Sequence, residues 1–268
     1  MHRILLEIGS LKIYAWGTLI GIGFLVGLWF TTLEAKRRDI KKEDVIDIAL
    51  YLLISGIIGA RIAFVIANWK DYAKNPISIL YIQRGGMVLF GTLIAGVITG
   101  YAIVKIKKLD FWKLADTFAP GLALGVAIGR IGCFLNGCCW GKISYTFGIR
   151  FPSTHNPPVY VDQVMRGLIK PGTPYTLPVI PTQLLHSLSA FIVFLLIVKF
   201  YKSGMQKFKG QGFLLLVIYY SIGRFLVEFL RYYPPYKYVG PFTGSQILSI
   251  IAILWAVFEY GRRKKGIS

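Results

Sequence analysis

Charge is scarce in this 268-residue chain, and negative charge scarcer still. Only 16% of the residues are charged, where a soluble domain runs near a quarter. Twelve Asp and Glu stand against 31 Lys and Arg, for a formal charge of +19. Three cysteines, two of them adjacent, make no disulfide framework. Met1 to Leu11 lacks the basic stretch, apolar stretch and small-residue cleavage site of a removable leader. No period of 20–50 residues marks a repeat array, and no inverted halves are evident. Together these absences exclude a soluble globular enzyme, a disordered tail and a disulfide-stapled secreted module.

What is present is apolar length. Hydrophobic residues make up 55% of the chain, and mean hydropathy is +0.58. The apolar residues fall into blocks of roughly 20, enough to cross a hydrocarbon layer about 30 Å thick. Seven spans are predicted, at 14–34, 45–67, 87–106, 114–135, 182–200, 212–230 and 244–261. The expected fold is an all-α membrane protein, one integral domain over 1–268. Residues 141–181, rich in proline, are expected to form an external loop or small lobe.

The basic residues set the orientation. Seventeen cluster in four short segments: Lys36 to Lys42, Lys105 to Lys113, Lys199 to Lys209, and Arg262 to Lys265. Eleven are spread over the opposite side, and Arg61, Arg130 and Arg224 lie within spans. Dense basic clusters beside spans stay cytoplasmic, which predicts an external amino terminus and a cytoplasmic carboxyl terminus. No aromatic and basic platform accompanies the clusters, so nucleic acid is not an expected partner.

A charge at membrane depth costs about 2.5–3.5 kcal/mol on insertion scales, so each intramembrane charge implies a use or a neutralising group. Four places stand out. The segment Gly129-Arg130-Ile131-Gly132-Cys133-Phe134-Leu135-Asn136-Gly137-Cys138-Cys139-Trp140-Gly141 packs one Arg, one Asn, three Cys and four Gly where span four leaves the membrane. It reads as an Arg-centred phosphate site, its glycines leaving backbone amides free to face an anion. Glycine-mediated helix packing with a snorkelling Arg130 fits the same residues. Arg224, Glu228 and Arg231 share one helical face; Glu228 would hold one guanidinium while another meets phosphate in a fork. An internal ion pair is the bland alternative. Gly59-Ala60-Arg61 in span two, and Pro181-Thr182-Gln183 with His186 one turn on, fit structural and binding roles equally.

His2, His155 and His186 are the only histidines. Cys133, Cys138 and Cys139 follow no standard zinc spacing, and no fourth ligand is evident. Inert buried thiols, a metal site and a redox pair all remain open for them.

At these residues the chain resembles the prolipoprotein diacylglyceryl transferases. The family's block, Gly-Arg-hydrophobic-Gly-Asn-Phe-hydrophobic-Asn-Gly-Glu-x-x-Gly, is matched by Gly129, Arg130, Gly132, Phe134, Asn136, Gly137 and Gly141. Gly85-Gly86-Met87 looks like its Gly-Gly segment, and Pro181-Thr182-Gln183 like its Pro-Ser-Gln. Arg224 to Arg231 resembles its Arg-x-x-x-Glu-Phe-x-Arg, and Gly244 to Ser249 its Gly-x-Gln-Ile-Leu-Ser. Four departures accompany the match. Cys133 and Cys138 stand where the family has Asn and Glu. Phe90 aligns with a histidine found in many members, and Trp16, with Tyr14 nearby, with a tyrosine. Leu185-His186 replaces Tyr-Glu.

The resemblance implies a multi-pass enzyme of the bacterial cytoplasmic membrane. Phosphatidylglycerol would be the donor and the lipobox cysteine of a preprolipoprotein the acceptor. The thiolate would attack the glycerol carbon bearing the phosphate ester, forming a thioether and releasing glycerol phosphate. Arg130, Arg224 and Glu228 would be catalytic. Asn136, Gly137, Arg61, Gln183, Arg231, Gln246 and Tyr14 would contact substrate. No cofactor is required. The base is left open among Glu228, Tyr14 and His186. Two other readings remain. One is a paralogous transferase with a different acceptor that uses its cysteines; the other is a lipid-binding or transport protein.

Overall fold

The computed structural model describes residues 3–8, 11–73, 75–81, 88–234 and 238–266. Among the described residues nine α-helices dominate: α1 (Ala15–Arg37), α2 (Lys42–Ala67), α3 (Trp69–Tyr72), α4 (Leu89–Ile106), α5 (Phe111–Asn136), α6 (Pro158–Met165), α7 (Thr182–Lys202), α8 (Gln211–Glu228) and α9 (Gly244–Lys265). Two small antiparallel pairs, β1 (Ile4–Ile8) with β2 (Leu11–Tyr14) and β3 (Tyr238–Val239) with β4 (Phe242–Thr243), lead into α1 and α9. These short strands escape a reading based on long apolar blocks.

Among the described residues six helices, α1, α2, α5, α7, α8 and α9, are long and apolar enough to cross a membrane. The third expected span falls on α4, within which Gly91–Ile106 is a shorter apolar helix. A helix satisfies its own backbone hydrogen bonds, which hydrocarbon cannot do for it. Large apolar side chains such as Leu25, Val97, Leu254 and Phe258 point outward and are exposed, as lipid-facing residues would be. Basic residues close the last turns of α1, α7 and α9, where positive charge suits the carbonyl end of a helix.

The chain divides into two compact units, residues 1–31 with 115–268 and residues 32–114. In the larger unit, α1 and α5 meet through glycines. A Cβ on Gly27 would stand 2.7 Å from the Gly121 carbonyl oxygen, and one on Gly23 equally close to that of Gly125. Without a hydrophobic force between helices in lipid, small residues permit the close backbone packing that holds them. Ala119, Ala123, Val193, Ile197 and Leu216 build the core of α5, α7 and α8. Buried Asp116 fastens the start of α8, accepting hydrogen bonds from the Gly210 amide at 2.6 Å and the Phe213 amide at 2.9 Å. Residues 141–181 fold around Phe151, Val159 and Val179, with Phe134 and Trp140 packed against them.

In the smaller unit, α2 packs on α4. The Val88 amide donates to Ala60 O at 3.1 Å, and Thr92 Oγ1 to Gly56 O at 3.1 Å. Lys107, just past α4, reaches both Asp44 at 2.6 Å and Asp47 at 2.7 Å. Those two hydrogen-bonded carboxylates hold its ammonium above the usual lysine range. Gly85, Gly86 and Met87, and likewise His2, lie outside the described residues.

Candidate active site

Helix α5 ends at Asn136 because Gly137 takes a left-handed conformation, φ +68°, the usual way to terminate a helix. A Cβ there would also strike Pro157 at 2.8 Å. Two residues on, Cys139 is left-handed as well, φ +60°. The chain then passes Gly141, where a Cβ would lie 2.6 Å from the Leu230 carbonyl and 2.8 Å from Ile180 Cβ. The Gly141 amide donates to Ile180 O at 2.9 Å, and the Lys142 amide to Leu230 O at 2.8 Å. The missing side chain thus lets the end of α5, the approach to α7 and the end of α8 be stitched together. From α7, Gln183 Nε2 donates to Cys138 O at 2.6 Å and Thr182 Oγ1 to Cys139 O at 2.8 Å. Gln183 is fully buried, and its Oε1 has no hydrogen-bond partner.

This geometry corrects one expectation. The amides of Gly137, Cys138 and Gly141 do not face an open anion site; they donate to Phe134 O, Cys133 O and Ile180 O. The turn needs those bonds to hold its shape. Positive charge for an anion therefore comes from side chains.

Helix α8 supplies it. Glu228 is 2% exposed, and three groups surround its carboxylate. Arg224 Nη2 lies 3.0 Å from Oε2, Arg231 Nη1 lies 3.6 Å from the same oxygen, and Thr243 Oγ1 donates to Oε1 at 3.2 Å. Arg231 also lies over the Tyr233 ring, 4.7 Å from its centroid. Burial pushes the Tyr233 phenol up from its ordinary range, while the nearby Arg231 charge opposes the shift.

Arg224 is held from two further sides. Its Nη2 donates to Ser245 Oγ at 3.0 Å, and its Nη1 to His186 Nε2 at 2.7 Å. A guanidinium has no acceptor, so His186 Nε2 must accept and its ring proton sits on Nδ1. The lone pair a base would use is already engaged. Arg130, one turn and a half before the end of α5, has no ion pair among the described residues. Its neighbours are the Tyr220 hydroxyl and the thiols of Cys133 and Cys139. Arg130, Arg224 and Arg231 all act electrostatically on His186, and two of them, Arg224 and Arg231, also meet the Glu228 carboxylate.

The other expected residues take varied positions. Asn136 Oδ1 accepts from Arg3 Nε at 3.2 Å. Arg3 also donates to the carbonyls of His155 and Asn156 and lies 5.8 Å from the Tyr14 ring centroid. Gln246 closes a capping box with Thr243 at the start of α9, a role the Thr-x-x-Gln pattern makes legible. Arg61 belongs to the smaller unit. It donates to the carbonyls of Ile79 at 2.8 Å, Ser78 at 2.9 Å and Tyr81 at 3.4 Å, and lies over Phe64 and Tyr72. The Phe90 side chain is outside the described residues.

Several contributors went unread in the sequence. Tyr220 sits four residues before Arg224, so extending the i, i+4 row by one step would have found it. Ser245 and Thr243 reach the site only because β4 and α9 pack there. Arg3 is 133 residues from the Asn136 it binds, and no local pattern links them. Nor did the spacing of the cysteines foretell that the three sulfur atoms lie within 4.8 Å of one another.

A family model described as prolipoprotein diacylglyceryl transferase matches residues 3–260. The phosphatidylglycerol--prolipoprotein diacylglyceryl transferase of Bacillus cytotoxicus is 35% identical over 270 residues, covering 99% of this chain and 94% of the relative. The protein of the same name from Bacillus mycoides is 36% identical over the same extent, and that of Bacillus cereus strain Q1 is 35% identical.

Proposed function

The chain belongs to the prolipoprotein diacylglyceryl transferase family, and from that premise we propose how its residues carry the reaction. It is a transferase that moves the diacylglyceryl group of phosphatidylglycerol to a prolipoprotein. The acceptor atom is the thiol of the lipobox cysteine. Its thiolate attacks the glycerol carbon that bears the phosphate ester. The carbon–oxygen bond breaks, a thioether forms, and glycerol phosphate leaves.

The chemical difficulty is the charge gathering on the departing phosphate. Fixed donors aimed at developing charge are often the largest catalytic contribution. The observation that carries this reading is the imbalance at the site: Arg224 and Arg231 share one carboxylate, Glu228, and Arg130, which like them acts on His186, has no ion pair among the described residues. One negative charge cannot neutralise three positive ones, so the site favours an incoming anion. Arg130 and Arg224 grip the phosphate. Glu228 and Arg231 are positioning residues that fix the Arg224 fork, and Asn136, oriented by Arg3, assists. Gly137 and Gln183 shape the turn beneath the substrate, while Tyr14 and Gln246 border it. Arg61 contributes to substrate binding by ordering residues 78–81 of its own unit.

The reaction takes place at the outer face of the bacterial cytoplasmic membrane. The chain crosses it seven times, α4 serving as third span, with the amino terminus outside and the carboxyl terminus in the cytoplasm. Lipid and peptide both arrive from the membrane plane.

The test uses purified protein in phosphatidylglycerol vesicles with a lipobox peptide. Mass spectrometry should find the thioether-linked diacylglyceryl peptide and an equal amount of glycerol phosphate. A peptide with serine for the lipobox cysteine should stay unmodified. Absence of both products would overturn the reading.

A further inference from the structure

Two of the three candidate bases, His186 and Glu228, are already engaged by arginine. A free thiol has a pKa near 8.5, so it needs help to become a nucleophile. The His186 lone pair is held by Arg224, and the Glu228 carboxylate is surrounded by Arg224, Arg231 and Thr243. Beside them stand three further thiols that the reaction does not use.

We propose that Cys133, Cys138 and Cys139 bind a zinc ion whose fourth coordination position takes the acceptor thiol. This inference rests on the transfer reading and adds how the nucleophile is made. Four observations carry it. First, the three sulfur atoms lie within 4.8 Å of one another. A tetrahedral zinc with bonds of about 2.3 Å needs sulfur separations of roughly 3.8 Å, which small side-chain rotations reach. Second, the backbone is already fixed. Gly137 and Cys139 are left-handed, and Gln183 and Thr182 hold the carbonyls of Cys138 and Cys139. The turn therefore returns two cysteines to face the one on α5. Third, all three thiols are free and only partly buried, so a fourth ligand has access. Three protein ligands with one open position is the catalytic arrangement of zinc, whereas structural sites are closed by four. Thiols without nitrogen or oxygen donors select soft ions.

Fourth, the charges balance. Three thiolates on a divalent ion leave one negative charge, and the acceptor thiolate raises it to two. Arg130 acts on Cys133 and Cys139, and Arg231 acts on Cys139, so cations stand ready to offset it. The same Arg130 is assigned to the phosphate. Nucleophile and leaving group would thus be held by adjoining parts of one site. On coordination the acceptor thiol loses its proton to water, since a metal-bound thiol is deprotonated outright. Its sulfur then forms the bond to the glycerol carbon as the carbon–oxygen bond breaks. The phosphate oxygen keeps the electron pair. The thioether product is a weaker zinc ligand and departs.

The test uses the full-length protein in vesicles, kept reduced with a phosphine and loaded with zinc or cobalt(II). Elemental analysis should find one zinc per chain. Cobalt should give the thiolate charge-transfer and strong visible bands of a tetrahedral sulfur site. Cys133→Ser, Cys138→Ser and Cys139→Ser should each weaken binding at least about tenfold, a typical loss for a disturbed metal site. A cysteine lipobox peptide should shift the cobalt bands, and its serine analogue should not. Absent bands, or bands that persist in all three variants, would overturn the site. Bands indifferent to the peptide thiol would overturn the open position. Equal product from metal-stripped and zinc-loaded protein would overturn the inference and leave the transfer reading standing. A thiol-responsive metal without any product would support the site and overturn the transfer reading.

Discussion

Arg61 and the arginines around Glu228 pose the same problem to the chain, a guanidinium in an apolar helix, and they are treated differently. Arg61 donates to three backbone carbonyls of one short segment, Ser78, Ile79 and Tyr81, and is flanked by Phe64 and Tyr72. These described partners are fixed dipoles from its own unit. Arg224 is held by side chains instead: His186, Ser245 and Glu228. Arg130 has a hydroxyl and thiols nearby and, among the described residues, no ion pair with a carboxylate. Carbonyl dipoles fix a guanidinium in place, whereas guanidinium groups that share too little negative charge can recognise phosphate. The lesson is that burial of an arginine does not mark a functional site; the identity of what surrounds it does.

The contrast can be broken or sharpened by substitution. The largest effect should come from Arg130→Ala and Arg224→Ala. Each should cut transfer about 10³-fold or more, measured by product mass spectrometry, with an unchanged circular dichroism spectrum. Full activity in both would erase the distinction. Next, Glu228→Gln should reduce kcat about 10²-fold and lower thermal stability, because it leaves two partly buried guanidinium groups without their counter-charge. Arg61→Ala should act otherwise. It should raise KM with kcat changed less than about threefold, the signature of lost uniform binding. It should also speed proteolysis around residues 75–81. A kcat collapse there would show Arg61 to be of the same kind as Arg224. Smallest of all, Lys107→Ala removes a surface pair with Asp44 and Asp47. Transfer should be unchanged, and any loss in melting temperature should shrink as salt is raised.

The helices were largely legible because hydrocarbon demands long apolar runs. The 182–200 span appears as Thr182–Lys202 and the 244–261 span as Gly244–Lys265. The row of Arg224, Glu228 and Arg231 was legible too, since helical spacing alone puts them on one face. The cysteines were not: a spacing of five and then one says nothing about whether a turn folds back. Arg3 with Asn136 was equally hidden, because nothing local joins residues 133 positions apart. The free amides expected of the glycine-rich segment proved to be used in the turn, since a backbone donor removed from water must find an acceptor.

The amino-acid order by itself determined that this is a helical membrane protein and which few charges it keeps among apolar residues, because periodicity and hydropathy are local properties. Only the tertiary structure decided which of those charges are neutralised by backbone and which are left in excess. It alone gathered three thiols beside them. Electrostatics and ligation depend on distance through space, and in this chain the residues that matter most to one another are held together by Gly137, Gly141 and the ends of three helices.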